Sequence, residues 1–525
     1  MKKTLCLLLG LIVSFNGLSQ QSFFKYCNSP SFVGLYYDVA ETDSGYLAVG
    51  TVGIAADPCI NFTDYSGQLI KQVLYNTTSE EDCFNRVIST YSGGAIALGG
   101  INATVQDPKS YTSIVNFDAS ANIVWSKKIV GNTQVSLSNV ICNRQGYFVG
   151  AGTWEMDPNN VDLEFMIFDS LGNILLQKTA YYSDSSNFQS GGDMVRDIVE
   201  TDDGGYVFLC SYDNDPTQLG YNPQVYLYKT DSALNFMWAT SFPTNLNCQG
   251  FEIVKKDNGN LLYSSSIDSL GFNDMKAVLT EVNSSGNILW RKSYDITAYG
   301  NFQPYHLVSS TDSTIVCQSS VDGYMILFEI DGLGNVNWAK KYLNQNDFMP
   351  GTICKSSDNG LLIPGNSFAF PYKPELLKLS SGGNTTCGYS SISIVSNPIA
   401  YYQYFGIHNE STTSFVMQDI ILPELQVNSW LNICGSTDLN ENILNNEFVI
   451  YPNPVHDIAY LNLYGYYSKD LLVKIFNSIG QIVDVYSPYS LDMLELDLSK
   501  LDEGLYVAQL TDEYNVVGQV KFVVQ

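Results

Sequence analysis

Positive charge is the scarcest resource in this chain. Its 525 residues hold 26 lysines and arginines against 53 aspartates and glutamates, a net charge of −27. That balance disfavours a large nucleic-acid or anionic-membrane footprint, because both need a basic face. Charged residues of either sign make up only 15%, below the roughly 25% of an average soluble domain. Histidine is almost missing. His306, His408 and His456 lie far apart and no Cys-x-x-Cys occurs, so a zinc site has little to draw on. Gly-x-Ser-x-Gly and His-Glu-x-x-His are both absent, which removes the commonest hydrolase and zincin signatures. No complete EF-hand calcium loop is present either. No metal, no cofactor and no catalytic residue is expected.

Long apolar runs are equally rare, with one exception at the start. Lys2 and Lys3 precede a short apolar stretch from Leu5 to Phe15, and Gly17-Leu18-Ser19 supplies small residues after it. This is the pattern of a secretory signal peptide over residues 1–19. The stretch is too short to cross a bilayer core of about 30 Å. Removing it takes two basic residues and moves the net charge from −27 to −29. No later segment is apolar enough to span a membrane, so the mature chain is expected to have no transmembrane segment.

What the chain has in quantity is apolar and aromatic side chains, 45% and 13% of the residues. That is ample for buried cores over the three or four units that the length suggests. Ten cysteines remain after the signal (27, 59, 83, 142, 210, 248, 317, 354, 387 and 434). In an exported protein they are either disulfides or buried thiols. Cys387 and Cys434 are the one pair with a positional purpose. A bridge between them would tie the chain back to the end of the repeats described next, closing a loop worth roughly 4 kcal/mol of unfolded-state entropy.

A two-part unit recurs from about residue 30 to 388. Its first half is a hairpin around a polar Gly turn, as in ETDSGYLAVG (41–50), ETDDGGYVFLC (200–210) and KSSDNGLLIPG (355–365). Its second half is a strand, an acid-Gly turn and a strand that usually ends in Trp and Lys. Clear copies are NFDASANIVWSKK (116–128), EVNSSGNILWRK (281–292) and EIDGLGNVNWAKK (329–341), with degenerate ones at 61–72 and 378–388. Each half occurs seven times. Asx-Gly between short apolar runs is a hairpin signal, since Gly and Asn tolerate positive φ. Two hairpins per unit, at a period of about 50 residues, give the four-stranded unit of a propeller blade. A series of sandwiches would lack this internal period. Trp125, Trp238, Trp290 and Trp338 recur at one position, with Leu176 in their place once. That repetition beside an apolar run favours packing between blades over ligand stacking. The repeats resemble loosely related blades of secreted Bacteroidota proteins, a resemblance that implies a propeller and no particular activity.

Acid clusters such as Glu80-Glu81-Asp82, Asp202-Asp203 and Asp213 with Asp215 could serve glycoside cleavage or calcium, but acids are the commonest charges here and solvated turns account for them. Ser356-x-Asp358-x-Gly360 is similar to the Asp-box turn of sialidases. Ile363 replaces its aromatic, and the chain has only Arg86, Arg144, Arg196 and Arg291 to form a three-arginine clamp. Residues 389–434 are rich in Tyr, Ser and β-branched types, with Tyr401-Tyr402 and Tyr404-Phe405 clustered, and read as β structure packed on the propeller.

After a polar linker, residues 447–525 read as a small all-β sandwich with strands near 458–464, 471–477, 481–486, 494–498, 505–511 and 516–524. Hairpin turns are expected at Asn477–Gly480 and at Gly504 before Tyr506. Pro452 and Pro454 restrict the pairing of the opening strand. Tyr451-Pro452-Asn453-Pro454, Gly480, Leu496-Asp497-Leu498 with Gly504-Leu505-Tyr506, and the final Lys521-Phe522-Val523-Val524 stand in the order of a known family. This tract resembles the type A C-terminal sorting domain of the type IX secretion system. The resemblance implies delivery to the cell surface or medium via the periplasm, with the type IX machinery of the outer membrane as partner.

The expected fold class is therefore all-β. A signal peptide (1–19) precedes a seven-bladed β-propeller (20–388), a β-rich connecting segment (389–434), a linker (435–446) and the sorting domain (447–525). The expected function is binding or adhesion, with a glycan or protein ligand and no nucleic acid. The alternative is a secreted polysaccharide-active enzyme with acidic residues in the propeller cleft.

Overall fold

The structure is a computed structural model. From residue 22 onward it describes every residue except 28–33, 53–56, 76–81, 102–110, 132–133, 158–159, 184–192, 214–222, 243–246, 269–274, 297–302, 312–313, 322–323, 343–347, 368–372, 386–387, 400–402, 406, 412–414, 420–423, 427–429, 435–448, 463–470, 478–480, 488–492 and 513–514. The signal segment 1–19, Gly480 and Cys387 lie outside the described residues, as does the side chain of Cys434. No helix among the described residues is long and apolar enough to cross a membrane. The chain divides into two units, Met1–Ser436 and Thr437–Gln525.

The first unit is a ring of seven antiparallel sheets. In the first, Gly34–Thr42, Gly45–Val52, Asp57–Thr63 and Leu69–Tyr75 run from the axis outward, and the pattern repeats around the ring. Each of seven hydrophobic clusters is shared by two consecutive sheets, and the last joins the seventh sheet to the first. That closed series makes the unit a β-propeller.

The motif that repeats in sequence is what joins one blade to the next. Its turn opens with Asp, Asn or Ser and holds its fourth residue at φ between 58° and 79° (Gly67, Ala121, Gly172, Leu234, Gly286, Gly334, Gly383). The opening carboxylate accepts the N–H groups two and four residues on; Asp331, for example, takes those of Leu333 and Asn335 at 2.9 and 2.8 Å. This is a type I turn followed by a left-handed residue, with the bulge such loops place in the ladder. The Trp of one blade then lies on the turn of the next. A Cβ on Gly286 would sit 2.8 Å from the Trp238 ring, one on Gly334 2.7 Å from Trp290, one on Gly172 3.0 Å from Trp125, and one on Gly383 3.0 Å from Trp338. The Lys two residues after the Trp reaches the Asn of the same turn, Lys292 to Asn335 at 2.9 Å and Lys340 to Asn384 at 2.7 Å. Where Trp is replaced, by Lys71 or Leu176, the facing residue is Ala121 or Leu234 rather than Gly.

The seventh blade differs from the expectation drawn from residues 378–388. That copy makes its turn, with the Gly383 N–H donating to the Ser380 carbonyl at 2.8 Å, but supplies no fourth strand. The N-terminal strand Phe23–Cys27 takes the position instead, antiparallel to Pro374–Leu379. Phe23 stands where other blades have Trp, 2.7 Å from a Cβ on Gly67, and Phe23-x-Lys25 reproduces the Trp-x-Lys spacing.

Residues 389–434 do more than connect. Seven short strands from this segment pair in turn with the outermost strand of all seven blades, in reverse order. Tyr389–Ser391 lies on Val336–Tyr342, and Val395–Pro398 on Ile288–Asp295. Four further strands continue this backward course, and Trp430–Cys434 ends it on Phe23–Cys27. The segment is a belt that caps part of each exposed edge, where unpaired N–H and C=O groups would otherwise recruit other chains.

The second unit is a sandwich of a three-stranded and a four-stranded sheet over one core. Gly504 opens the strand Gly504–Asp512 rather than forming a turn; the turn lies earlier, where the Leu501 N–H bonds the Leu498 carbonyl at 3.0 Å. Asn477 and Gln481 close the other expected hairpin through a 3.0 Å backbone bond.

Two expectations follow. Gly286→Leu should destabilise the propeller by about 2 kcal/mol or more through clash and left-handed strain. Adding Trp238→Leu, which recreates the Leu176–Leu234 pairing, should recover about 1–2 kcal/mol of that loss in a double-mutant cycle read by denaturant melts. Likewise, a chain ending at residue 436 should sediment as a monomer, whereas one ending at 388, with its blade edges bare, should associate.

Candidate functional site

Seven polar side chains sit at one level around the axis: Asp38, Arg86, Asn139, Asp197, Glu252 and His306 on the innermost strands, and Thr352 between the short inner strands Phe348–Pro350 and Cys354–Lys355 of the seventh blade. Each stands four residues before the residue that opens its blade's first turn (Thr42, Thr90, Asn143, Thr201, Lys256, Ser310 and Ser356). Register irregularities beside six of them, for example between Phe84 and Arg86, bend the strand there and re-aim the side chain.

Hydrogen bonds cross all seven seams at this level. Asp38 accepts the Val87 N–H at 2.8 Å and the Thr352 hydroxyl. The Arg86 guanidinium donates to Asn139 at 3.1 Å and pairs with Asp197 at 3.5 Å and Asp38 at 3.8 Å. Asn139 donates to Asp197, which also accepts the Ile253 N–H at 2.8 Å. Glu252 takes the Leu307 N–H at 3.0 Å and faces His306 Nδ1 at 2.9 Å. The Gln318 amide donates to the Gly351 carbonyl at 2.6 Å, and the Thr352 N–H to the Tyr37 carbonyl at 3.1 Å.

Burial dominates the electrostatics. It pushes the Asp197 carboxyl up to about 7, with the Glu252 carboxylate adding to the rise and Arg86 opposing it. Asp38 is raised by burial too, despite Arg86 beside it. Burial alone would depress Arg86, but Asp38, Asp197 and Glu252 together hold its pKa above the ordinary value. Asp38 and Asp197 are closed off from solvent, while the side chains of Arg86, Glu252 and His306 keep 20%, 16% and 25% of their surface. Of the seven, these three are the ones with surface left for a ligand to touch.

Of the acid clusters singled out in the sequence, Asp202-Asp203 has other employment. Asp203 bonds the buried Lys229 at 2.9 Å, and Asp202 pairs with Lys255 at 2.7 Å and Arg144 at 3.3 Å. Asp358 of the Ser356-x-Asp358-x-Gly360 turn holds the buried Lys378 at 2.7 Å and the Gly360 N–H at 2.9 Å. Glu80, Glu81 and Asp215, like Tyr401 and Tyr402, lie outside the described residues. Seven cysteines, including Cys210, Cys248 and Cys317, are free thiols, and burial raises the pKa of these three.

In the second unit the two ends of the sandwich are stitched together. The Asn453 side chain accepts the Val523 N–H at 2.9 Å and donates to the Lys521 carbonyl at 3.3 Å. The Val455 N–H donates to the Val523 carbonyl at 2.8 Å, and the Gln525 N–H to the Val455 carbonyl at 2.8 Å. Both prolines of the opening motif, Pro452 and Pro454, follow cis peptide bonds. Tyr451 faces Tyr460 with ring centroids 6.0 Å apart. Tyr506 is buried, stacks on Phe522 at 5.8 Å and donates to the Asp502 carbonyl at 2.9 Å. Tyr451 to Pro454 and Lys521 to Val524 thus lie side by side, and Gly504 and Tyr506 stand opposite Val524 and Phe522 on the neighbouring strand.

Residues 449–525 match the family described as secretion system C-terminal sorting domain. This part of the chain is a sorting domain, and it directs export to the cell surface or the medium. Among solved structures, the chain is similar to PorZ, a surface component of the type IX secretion system of Porphyromonas gingivalis, at 10% identity and a TM-score of 0.28, covering 93% of this chain and 81% of that one. It is similar to a PL25 ulvan lyase at 9% identity and 0.44, covering 65% and 90%. It is also similar to Drosophila Plexin A, solved with Semaphorin 1b, at 8% identity and 0.40, covering 69% and 87%. No curated protein matches the sequence.

The axial acids set a pH dependence. Asp197 titrates near 7 in the folded chain but at about 3.9 when unfolded. Between those values the unfolded chain has released a proton that the folded one keeps, so stability falls as pH rises through the window. Asp162, raised to about 6, and Glu375, raised to about 9, act in the same direction. The propeller should therefore melt at a higher temperature at pH 5 than at pH 8. Asp197→Asn should flatten that slope, and an unchanged slope would refute the assignment.

Proposed function

We propose that the propeller is an exported binding or adhesion module, delivered by its C-terminal sorting domain through the type IX machinery. The observation that carries this reading is the commitment of the axial carboxylates. Asp38 and Asp197 each accept hydrogen bonds from the blades on both sides, so their lone pairs hold the ring together. Proton transfer during hydrolysis would have to break those ties. The ligand class we favour is a glycan or a protein. A screen of the purified full chain against glycan arrays and surface extracts, run beside a panel of polysaccharide substrates, should give saturable capture without turnover.

One contact favours a second reading. Glu252 and His306 form a partly exposed pair at 2.9 Å, which could relay a proton in a polysaccharide-active enzyme. Turnover abolished by Glu252→Gln would decide for the enzyme.

We further propose that Tyr451 to Pro454, joined to Lys521 to Val524, form the unit that the export machinery reads, with Gly504 and Tyr506 on the strand that pairs with the last one. The Asn453 bonds to the last strand support this, because they make motifs 70 residues apart in sequence one surface. Deleting residues 446–525 should leave the protein in the periplasm. Normal delivery of the truncated chain, measured by surface labelling and by its amount in the medium, would overturn the sorting role.

A further inference from the structure

The four-stranded sheet of the sorting domain has an unusual outward face. Its strands lie in the order Ile482–Tyr486, Leu471–Phe476, Gly504–Asp512, Asn515–Val524. Alternate residues point into the core, among them Val473, Ile475, Ala508, Leu510 and Phe522. An antiparallel sheet covered on one side ordinarily turns polar residues outward. Here the register does otherwise. Phe476 stands opposite Ile482 on one side and Val507 on the other, and Leu505 stands opposite Val523. Val485 stands opposite Lys474, and Val507 opposite Lys521. Directly opposed residues share a face, so six apolar side chains form a continuous outward patch. Ile482, Val485 and Leu505 are 53%, 48% and 50% exposed. The charged residues at the described outward positions are Lys474 and Lys521. Both are basic, in a domain (449–525) that has ten acids and four bases.

We propose that this face is the docking surface for a protein of the export apparatus, one that offers an apolar patch bordered by carboxylates. The proposal rests on residues 449–525 being a sorting domain and adds where that domain is held. The charge pattern argues for the occupant: in an acidic domain the patch keeps lysines, which would pair with acids on a partner and repel basic surfaces. A sheet face with opposed apolar pairs suits face-to-face layer packing. Anionic lipid recognition ordinarily uses clusters of about four to eight basic residues, more than this face carries. Contiguous apolar patches on a soluble domain mark such interaction sites.

The test uses the full chain in a host with type IX machinery. One variant carries Ile482→Ser, Val485→Thr and Leu505→Gln; a second carries Lys474→Glu and Lys521→Glu. A control carries Ile458→Thr, which is exposed on the other sheet. Both patch variants should melt within a few degrees of the parent, since exposed substitutions away from the core cost within about 0.5 kcal/mol. Their surface and medium levels should fall at least five-fold, with the protein accumulating in the periplasm, while the control is exported normally. Parental export of both patch variants overturns the proposal, and so does equal loss in the control. A large drop in melting temperature means that the chain itself covers the patch. A parental dimer that the variants lose means that a second copy covers it. Flotation with phosphatidylglycerol vesicles, lost in the variants, means that lipid does. Each of these three also overturns the protein partner. If the 446–525 deletion is retained while the patch variants are exported, only the docking surface fails. If the deletion is exported, the sorting reading itself has failed.

Discussion

The contact on which the propeller depends is an indole laid against a glycine. Four blades end in a Trp that lies on a turn of the next blade where a Cβ would clash, and Phe23 makes the same contact with Gly67 where the ring closes. The motif is complementary to itself from head to tail, so one sequence pattern specifies both the blade and its seam. The exceptions support the rule. Ala121 and Leu234 hold a left-handed φ of 58° where glycine holds 66° to 79° in the other blades, and they face Lys71 and Leu176 rather than Trp. Left-handed backbone alone does not force glycine at this site; the indole does. A side chain that accepts about 1–2 kcal/mol of backbone cost can stay wherever the Trp has gone.

Three sets of interactions hold the ring at different radii, and each suits its surroundings. At the axis the inner strands crowd together, and hydrogen bonds of side chains and backbone across each seam satisfy groups that water reaches poorly. In mid-blade the facing sheets bury apolar clusters that supply most of the driving force. At the rim, where blades diverge, the belt adds backbone pairing that needs no particular side chain. The closing seam between blades seven and one buries polar groups among its apolar ones. Asn61 and Thr63 are buried near it with no partner for their side-chain polar atoms, and Lys378 is buried there against Tyr46 and Asp358. Such groups weaken a seam relative to its apolar neighbours.

How much of this could be read from the sequence follows from the same distinction. Blades, turns and the inter-blade Trp were legible because they recur, and the sorting domain because its motifs keep their order. The axial ring was not, since Asp38, Arg86, Asn139, Asp197, Glu252, His306 and Thr352 share no chemistry across blades. Their one common sign is a constant offset of four residues from the turn, which a search for consensus residues passes over. Phe23 was hidden because half of the seventh repeat lies at the other end of the chain. The belt was hidden because its pairing is made by backbone, and strands of two to five residues leave almost no periodicity to detect.

The location of both propeller ends imposes an order on folding. Phe23–Cys27 lies between Pro374–Leu379 and Trp430–Cys434, so the first strand made is flanked by two of the last. Pairings of that sequence separation bear the largest loop-closure entropy and form late. Until they form, Gly67 lacks its aromatic cover and the first blade lacks a neighbour on one side. The belt runs backward across all seven outer edges before it reaches that strand. The last propeller strand, Trp430–Cys434, pairs with Phe23–Cys27 and ends three residues before the sorting unit begins at Thr437, so its pairing has to offset the loop-closure entropy of the whole ring.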